Sequence, residues 1–148
     1  MSLTVGGETW VGRAVTRVED DALLRGQGRF IDDVAPVPRA YHAAIRRSEL
    51  PHARIVSLDV STALEAPGVI GVLTGAEVAA LSRPFPVGIE GAPPSYSAAV
   101  ETAHYAGEPL AVVVAESRYL AEDAAEMITV DLEPLEPTID PVAAAAGA

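Results

Sequence analysis

The chain has 148 residues, enough for one domain that buries its own core. It is 49% hydrophobic and 21% charged with a net charge of −11, which excludes a disordered chain and argues against a nucleic-acid partner. Cysteine and lysine are both absent. That removes disulfides, thiolate nucleophiles, Cys-ligated zinc or iron–sulfur centres, Schiff-base chemistry and a P-loop lysine from this chain.

The charge is unevenly placed. Residues 1–60 hold eight arginines and eight acids, whereas residues 61–148 hold two arginines and thirteen acids and so carry the whole excess. No apolar run approaches the ~20 residues of a membrane span, and there is no basic amphipathic helix for a membrane surface. The opening MSLTVGGETW lacks the basic flank and apolar core of a signal peptide, so the expected location is cytoplasmic. Residues 1–10 read as an N-terminal tail, 11–142 as the folded domain and 143–148 as a C-terminal tail.

Gly12–Asp33 comes first in chain order. It packs four arginines, five acids and three glycines into an irregular stretch with no sustained helical or strand pattern. Ala40–Arg46 and Arg54–Val60 read as short strands separated by the polar, proline-containing Ser48–Pro51. Ser61–Glu65 has room for one helical turn before Pro67-Gly68. Val69–Leu73 is a short apolar run suited to a buried strand. Thr74 followed by Glu77 is a capping-box pattern that opens a short helix ending near Leu81. Residues 82–103 carry four prolines and no period, and read as a long surface loop. Leu110–Ala115 (LAVVVA) is the strongest buried strand. Ser117 is a good N-cap for a helix whose Ala121, Ala124, Ala125 and Ile128 share one face. Ile128, Val130 and Leu132 then alternate as a strand does. Strands interleaved with short helices make the class mixed α/β or α+β.

The residues that carry chemistry elsewhere form no active site here. Gly26-Gln27-Gly28 lacks the third glycine, the preceding strand and the following helix of a dinucleotide fingerprint, so these glycines read as turn residues. Histidines 42, 52 and 104 are too few and too scattered for a metal centre. His42 is expected to be partly buried in a strand, and the other two to lie on the surface near turns. The pairs Asp20-Asp21 and Asp32-Asp33 lie among Arg17, Arg25 and Arg29, and carboxylates paired with arginine make poor proton donors. No G-x-S-x-G elbow is present. The residue-level reading assigns no catalytic, cofactor-binding or metal-binding residue.

Five stretches nevertheless form a recognisable set: VGRAVTRVEDDALLRGQGRFIDD (11–33), RSELPHARI (47–55), PGVIGVLTGAEV (67–78), YAGEPLAVVVAESRYLAEDAAE (105–126) and VDLEPLEPTIDP (130–141). In order and spacing the chain resembles the N-terminal domain of the large, molybdopterin-binding subunit of the xanthine dehydrogenase/aldehyde oxidase family, in its carbon-monoxide-dehydrogenase-like branch. Departures from the family pattern fall at Glu49-Leu50-Pro51, at Glu77 in place of an aspartate, and at Leu132 in place of a tyrosine.

The resemblance implies an α/β-hammerhead fold within the α+β class. It also implies a structural piece of a molybdenum-dependent oxidoreductase that is not catalytic alone. The alternative is a stand-alone protein-binding module that keeps the fold without the activity. The implied molybdopterin-type cofactor belongs to the full enzyme and has no ligand on this chain. Implied partners are the remaining molybdopterin-binding domain and iron–sulfur and flavin subunits or domains. Under this reading the opening segment is an interface strap, with Arg13, Arg17, Glu19, Asp20, Arg25, Arg29, Asp32 and Asp33 as its candidate contact residues.

Overall fold

The computed structural model describes residues 4–5, 8–9, 11–34, 38, 40–86, 88 and 94–146. Trp10 and the last two residues of the expected C-terminal tail lie outside them. The chain divides into two compact units, Met1–Pro38 and Arg39–Ala148.

In the first unit, strands β1 (Thr4–Val5) and β2 (Glu8–Thr9) pair antiparallel. They are followed by helix α1 (Asp20–Leu24) and a 3-10 turn at Ile31–Asp33. A five-residue helix is too short to hold itself, and its ends show what holds it. At the C-terminus Gly26 takes φ +68, the left-handed conformation that costs glycine nothing. Its N–H reaches the Leu23 carbonyl at 3.1 Å, and the Gln27 N–H reaches that of Ala22 at 2.8 Å. This pair of bonds is a Schellman motif, which satisfies the last carbonyls of the helix. The glycine therefore ends a helix. A phosphate site needs a glycine loop that begins one.

The second unit holds two three-stranded antiparallel sheets. Strands β3 (His42–Arg47), β4 (Ala53–Asp59) and β5 (Val69–Thr74) come first, with helix α2 (Ser61–Glu65) between the last two. Helix α3 (Gly75–Leu81), β6 (Thr102–Ala103), β7 (Pro109–Ala115), helix α4 (Arg118–Glu126), β8 (Thr129–Pro134) and helix α5 (Pro141–Ala145) follow. One sheet runs β3-β7-β5 and the other β6-β4-β8. The apolar run read as the strongest strand is the centre of the first sheet.

Helix α4 covers one face of that sheet. Ser117 accepts the Leu120 N–H at 3.3 Å and starts the helix where its hydroxyl predicts. Ala121, Ala124 and Ala125 then bury against Ala44, Ala111, Val113 and Ala115, with Ile128 closing the cluster. With alanine on both sides, helix and sheet approach closely, so the core rests on tight backbone packing more than on large side chains. A second cluster joins Ala99, Ala103 and Leu110, and Leu58 and Val130 of the second sheet pack against both.

The cap of α3 forms as its sequence requires. The Glu77 carboxylate accepts from the Thr74 N–H at 2.7 Å and from Thr74 Oγ1 at 2.9 Å, while Thr74 Oγ1 accepts the Glu77 N–H. The Thr74 N–H, and then its hydroxyl, hold the Glu77 carboxyl below its ordinary range. Asp59 behaves alike at the entry to α2, where the Ser61 N–H 2.9 Å away, and then the Ser61 hydroxyl, lower its pKa.

Three expectations need correction. The 82–103 stretch is not all surface loop: Ala98, Ala99 and Ala103 are buried, and β6 pairs with β4. The Ala99 N–H bonds to the Pro109 carbonyl at 2.8 Å, which pulls that part of the chain onto the core. His42 is exposed, because it is the first residue of an edge strand. The expected tail from Ala143 begins inside α5, where Asp140 accepts the N–H groups of Val142 and Ala143 and Pro141 supplies a preset first helical residue.

Candidate interface segment

The candidate residues of the first unit are held mainly by short-range bonds. Arg17 Nε lies 2.8 Å from Asp20 Oδ1, and the Arg17 N–H donates to Asp20 Oδ2 at 3.0 Å. Arg25 Nη2 lies 2.8 Å from Asp21 Oδ1, one helical turn away. Asp33 accepts the Phe30 N–H at 2.9 Å and so closes the 3-10 turn. Glu19 occupies the N-cap position of α1 without a capping bond from its side chain. Arg13 and Arg29 are exposed in the irregular stretches on either side of the helix. Asp32 lies within the 3-10 turn.

These ion pairs join residues three and four apart, the spacing at which helical neighbours meet. They brace the segment's own shape. Beside these charged groups the segment also exposes large apolar side chains: Val18 is 97% exposed, Ile31 90%, Leu24 87% and Phe30 69%. Single apolar residues on a surface are ordinary, and four so exposed on one short braced segment set it apart.

In the second unit the structure joins two histidines that the sequence keeps apart. His52 and His104 stack, with ring centroids 6.4 Å apart and planes at 22°. The antiparallel register pairs Ala53 with Ala103, so the residues just outside that pair face each other. His52 Nδ1 lies 2.7 Å from the Glu136 carbonyl oxygen. The buried Glu108 accepts the His104 N–H and places its carboxylate 3.5 Å from His104 Nδ1. A cavity of about 350 Å³ is lined by Glu101, His104 and Glu108, and another of about 360 Å³ by both histidines, Tyr105 and Ile139. No group of three or more His, Cys, Asp or Glu side chains suited to a metal ion occurs among the described residues. No described helix is long and apolar enough to cross a membrane.

Two antiparallel three-stranded sheets with short helices between their strands define an α+β domain of the hammerhead type. Residues 25–136 match the family described as aldehyde oxidase and xanthine dehydrogenase, a/b hammerhead domain, and the chain belongs to that family. It is 38% identical over 142 residues to the nicotine 6-hydroxylase large subunit of Paenarthrobacter nicotinovorans, covering 88% of this chain and 16% of that protein. It is likewise 38% identical over 125 residues to the carbon monoxide dehydrogenase large chain of Afipia carboxidovorans, covering 84% of this chain and 15% of the relative. Among solved structures, quinoline 2-oxidoreductase from Pseudomonas putida 86 superposes with a TM-score of 0.77 at 42% identity, over 93% of this chain and 18% of that one. The chain thus spans about a sixth of the length of the curated relatives it matches.

Members of this family are molybdenum-cofactor enzymes. That cofactor is a phosphate-bearing pterin, which calls for cationic side chains or open helix N-termini, and several of the described ones are already engaged. The N-termini of α3 and α4 are filled by their own caps. In the groove between β3 and α4, Arg46 lies 3.3 Å from Glu49 and Arg47 donates to the Gly107 carbonyl at 2.8 Å, with Glu122 and Glu126 opposite.

Proposed function

We propose that this chain is a structural, non-catalytic domain of a molybdenum hydroxylase large subunit, and that Arg13–Asp33 is the strap by which it docks onto the rest of that subunit. The observation that supports this reading is the composition of the strap's surface. Two of its arginines are neutralised by acids within the segment, while Val18, Leu24, Phe30 and Ile31 remain exposed for a partner to cover. The direct partner is the remaining molybdopterin-binding part of the large subunit. Iron–sulfur and flavin domains or subunits complete the assembly, in the cytoplasm and without nucleic acid or membrane. One relative, the 6-hydroxypseudooxynicotine dehydrogenase complex subunit gamma, is named as a subunit of a complex.

The double variant R17A/R25A tests the strap. Exposed ion pairs are worth about 0–1 kcal/mol each, so the isolated chain should melt almost as the wild type does. Against a partner the same groups are desolvated, and truncation there costs about 2–5 kcal/mol, enough to abolish co-purification with the rest of the subunit. Undiminished co-purification would make these arginines solvated decoration. Unfolding of the isolated variant would make the strap internal scaffolding. Stoichiometric molybdenum in the purified chain, measured by elemental analysis, would refute the non-catalytic reading.

A further inference from the structure

The two faces of the sheet β3-β7-β5 are unequal. On the face under α4, the registered rows run His42–Ala115–Val69, Ala44–Val113–Val72 and Arg46–Ala111–Thr74. On the other face, Ile45, Val112 and Leu73 stand abreast in one row and Ala43, Val114 and Gly71 in the next. Those six positions hold no polar side chain at all. Ile45 and Leu73 are each 40% exposed, Ala43 is exposed, and Val112, Val114 and Gly71 are half-buried. The face left more open to water is thus the more uniformly apolar of the two.

The sequence of β7 points the same way. A strand covered on one face alternates apolar and polar residues, whereas one covered on both reads as a continuous apolar run. PLAVVVA is continuous. Its odd-numbered residues from Ala111 to Ala115 face α4, and Val112 and Val114 face outward. Contiguous apolar rows across three strands mark an interaction surface in a way that scattered residues do not.

We propose that this outer face is a docking surface for an uncharged, apolar surface of the rest of the large subunit. The proposal rests on the reading of the chain as a domain of a longer protein. Two observations select that occupant. The matched relatives carry about five-sixths of their length beyond this region, so a partner of the right kind is present in every intact copy. A second copy of this chain is the poorer fit: each copy carries a net charge of −11, so two copies repel as they approach. The larger Ile45, Val112 and Leu73 form one row of this face, and in the next the small Ala43 and Gly71 flank Val114.

The test is co-expression of the chain with the rest of the large subunit, comparing wild type, I45D/L73D and I45T/L73T. The threonine pair places β-branched side chains, which strands favour, at both positions and keeps the test valid should aspartate disturb folding. Both variants should keep a cooperative melt by circular dichroism, bind less of the apolar dye ANS, and lose at least tenfold in co-purified partner. Undiminished co-purification of both variants alongside wild type overturns the sheet-face proposal and leaves the strap standing. Failure of the wild type to co-purify overturns both readings. A wild-type dimer by light scattering that either variant converts to monomer assigns the face to a second copy and overturns this one.

Discussion

Replacing Gly75 by alanine probes how closely this fold brings backbone against backbone. Gly75 is the buried first residue of α3, and a Cβ built there would lie 1.8 Å from the Ala99 carbonyl oxygen and 2.5 Å from its carbon. The neighbour is main chain, so no rotamer change relieves the clash; the carbonyl must retreat by more than about 1 Å to reach a tolerable contact. Ala99 is itself buried and held by its N–H bond to Pro109. Overpacking costs about 1–3 kcal/mol, and a weakened hydrogen bond adds about 1. The better helix propensity of alanine returns at most about 1 kcal/mol. The net expectation is a loss of about 1–3 kcal/mol, which for a chain of this size lowers Tm by roughly 3–10 °C. The control is Gly71→Ala, where a Cβ meets nothing within 4 Å and the change should be neutral or stabilising by up to ~1 kcal/mol. Scanning calorimetry on the two variants decides the matter. If G75A melts at or above the wild type, the Ala99 segment is free to move and the close-packing account of this core is wrong.

Ser117→Ala removes the hydroxyl that accepts the Leu120 N–H and should cost about 1 kcal/mol in urea unfolding, with Ser117→Asp restoring most of it; an alanine variant as stable as wild type would show that packing alone starts α4. Acid stability carries the signature of Glu77 and Asp59. Because both carboxyls are held below their ordinary values when folded, their contribution is complete above the unfolded pKa of about 4 and is lost as pH falls through the folded values. Urea midpoints measured between pH 6 and pH 3 should therefore fall less steeply for E77Q than for wild type, and identical slopes would remove Glu77 from the account.

Signals carried by residues close in sequence were legible before any fold was known. The LAVVVA run, the alanine stripe of α4, the Thr74–Glu77 box and the Ser117 cap all depend on hydrogen bonds and side-chain periods spanning a few residues, and each appears where its pattern placed it. The strap's Arg17–Asp20 and Asp21–Arg25 pairs meet the general expectation that its acids pair with its arginines, without the partners having been legible one by one. What the sequence could not supply was register. His52 and His104 meet because Ala53 pairs with Ala103, a choice made by strand pairing across a third of the chain. Ala98 and Ala99 are buried in a proline-rich stretch only because Pro109 offers a carbonyl and Gly75 lacks a side chain. The apolar outer face of β3-β7-β5 likewise exists only once three distant strands align Ile45 with Val112 and Leu73. Local hydrogen bonds are written into neighbouring residues. Which distant strands lie side by side is decided by the burial of the whole core, and with it the surfaces this domain offers to others.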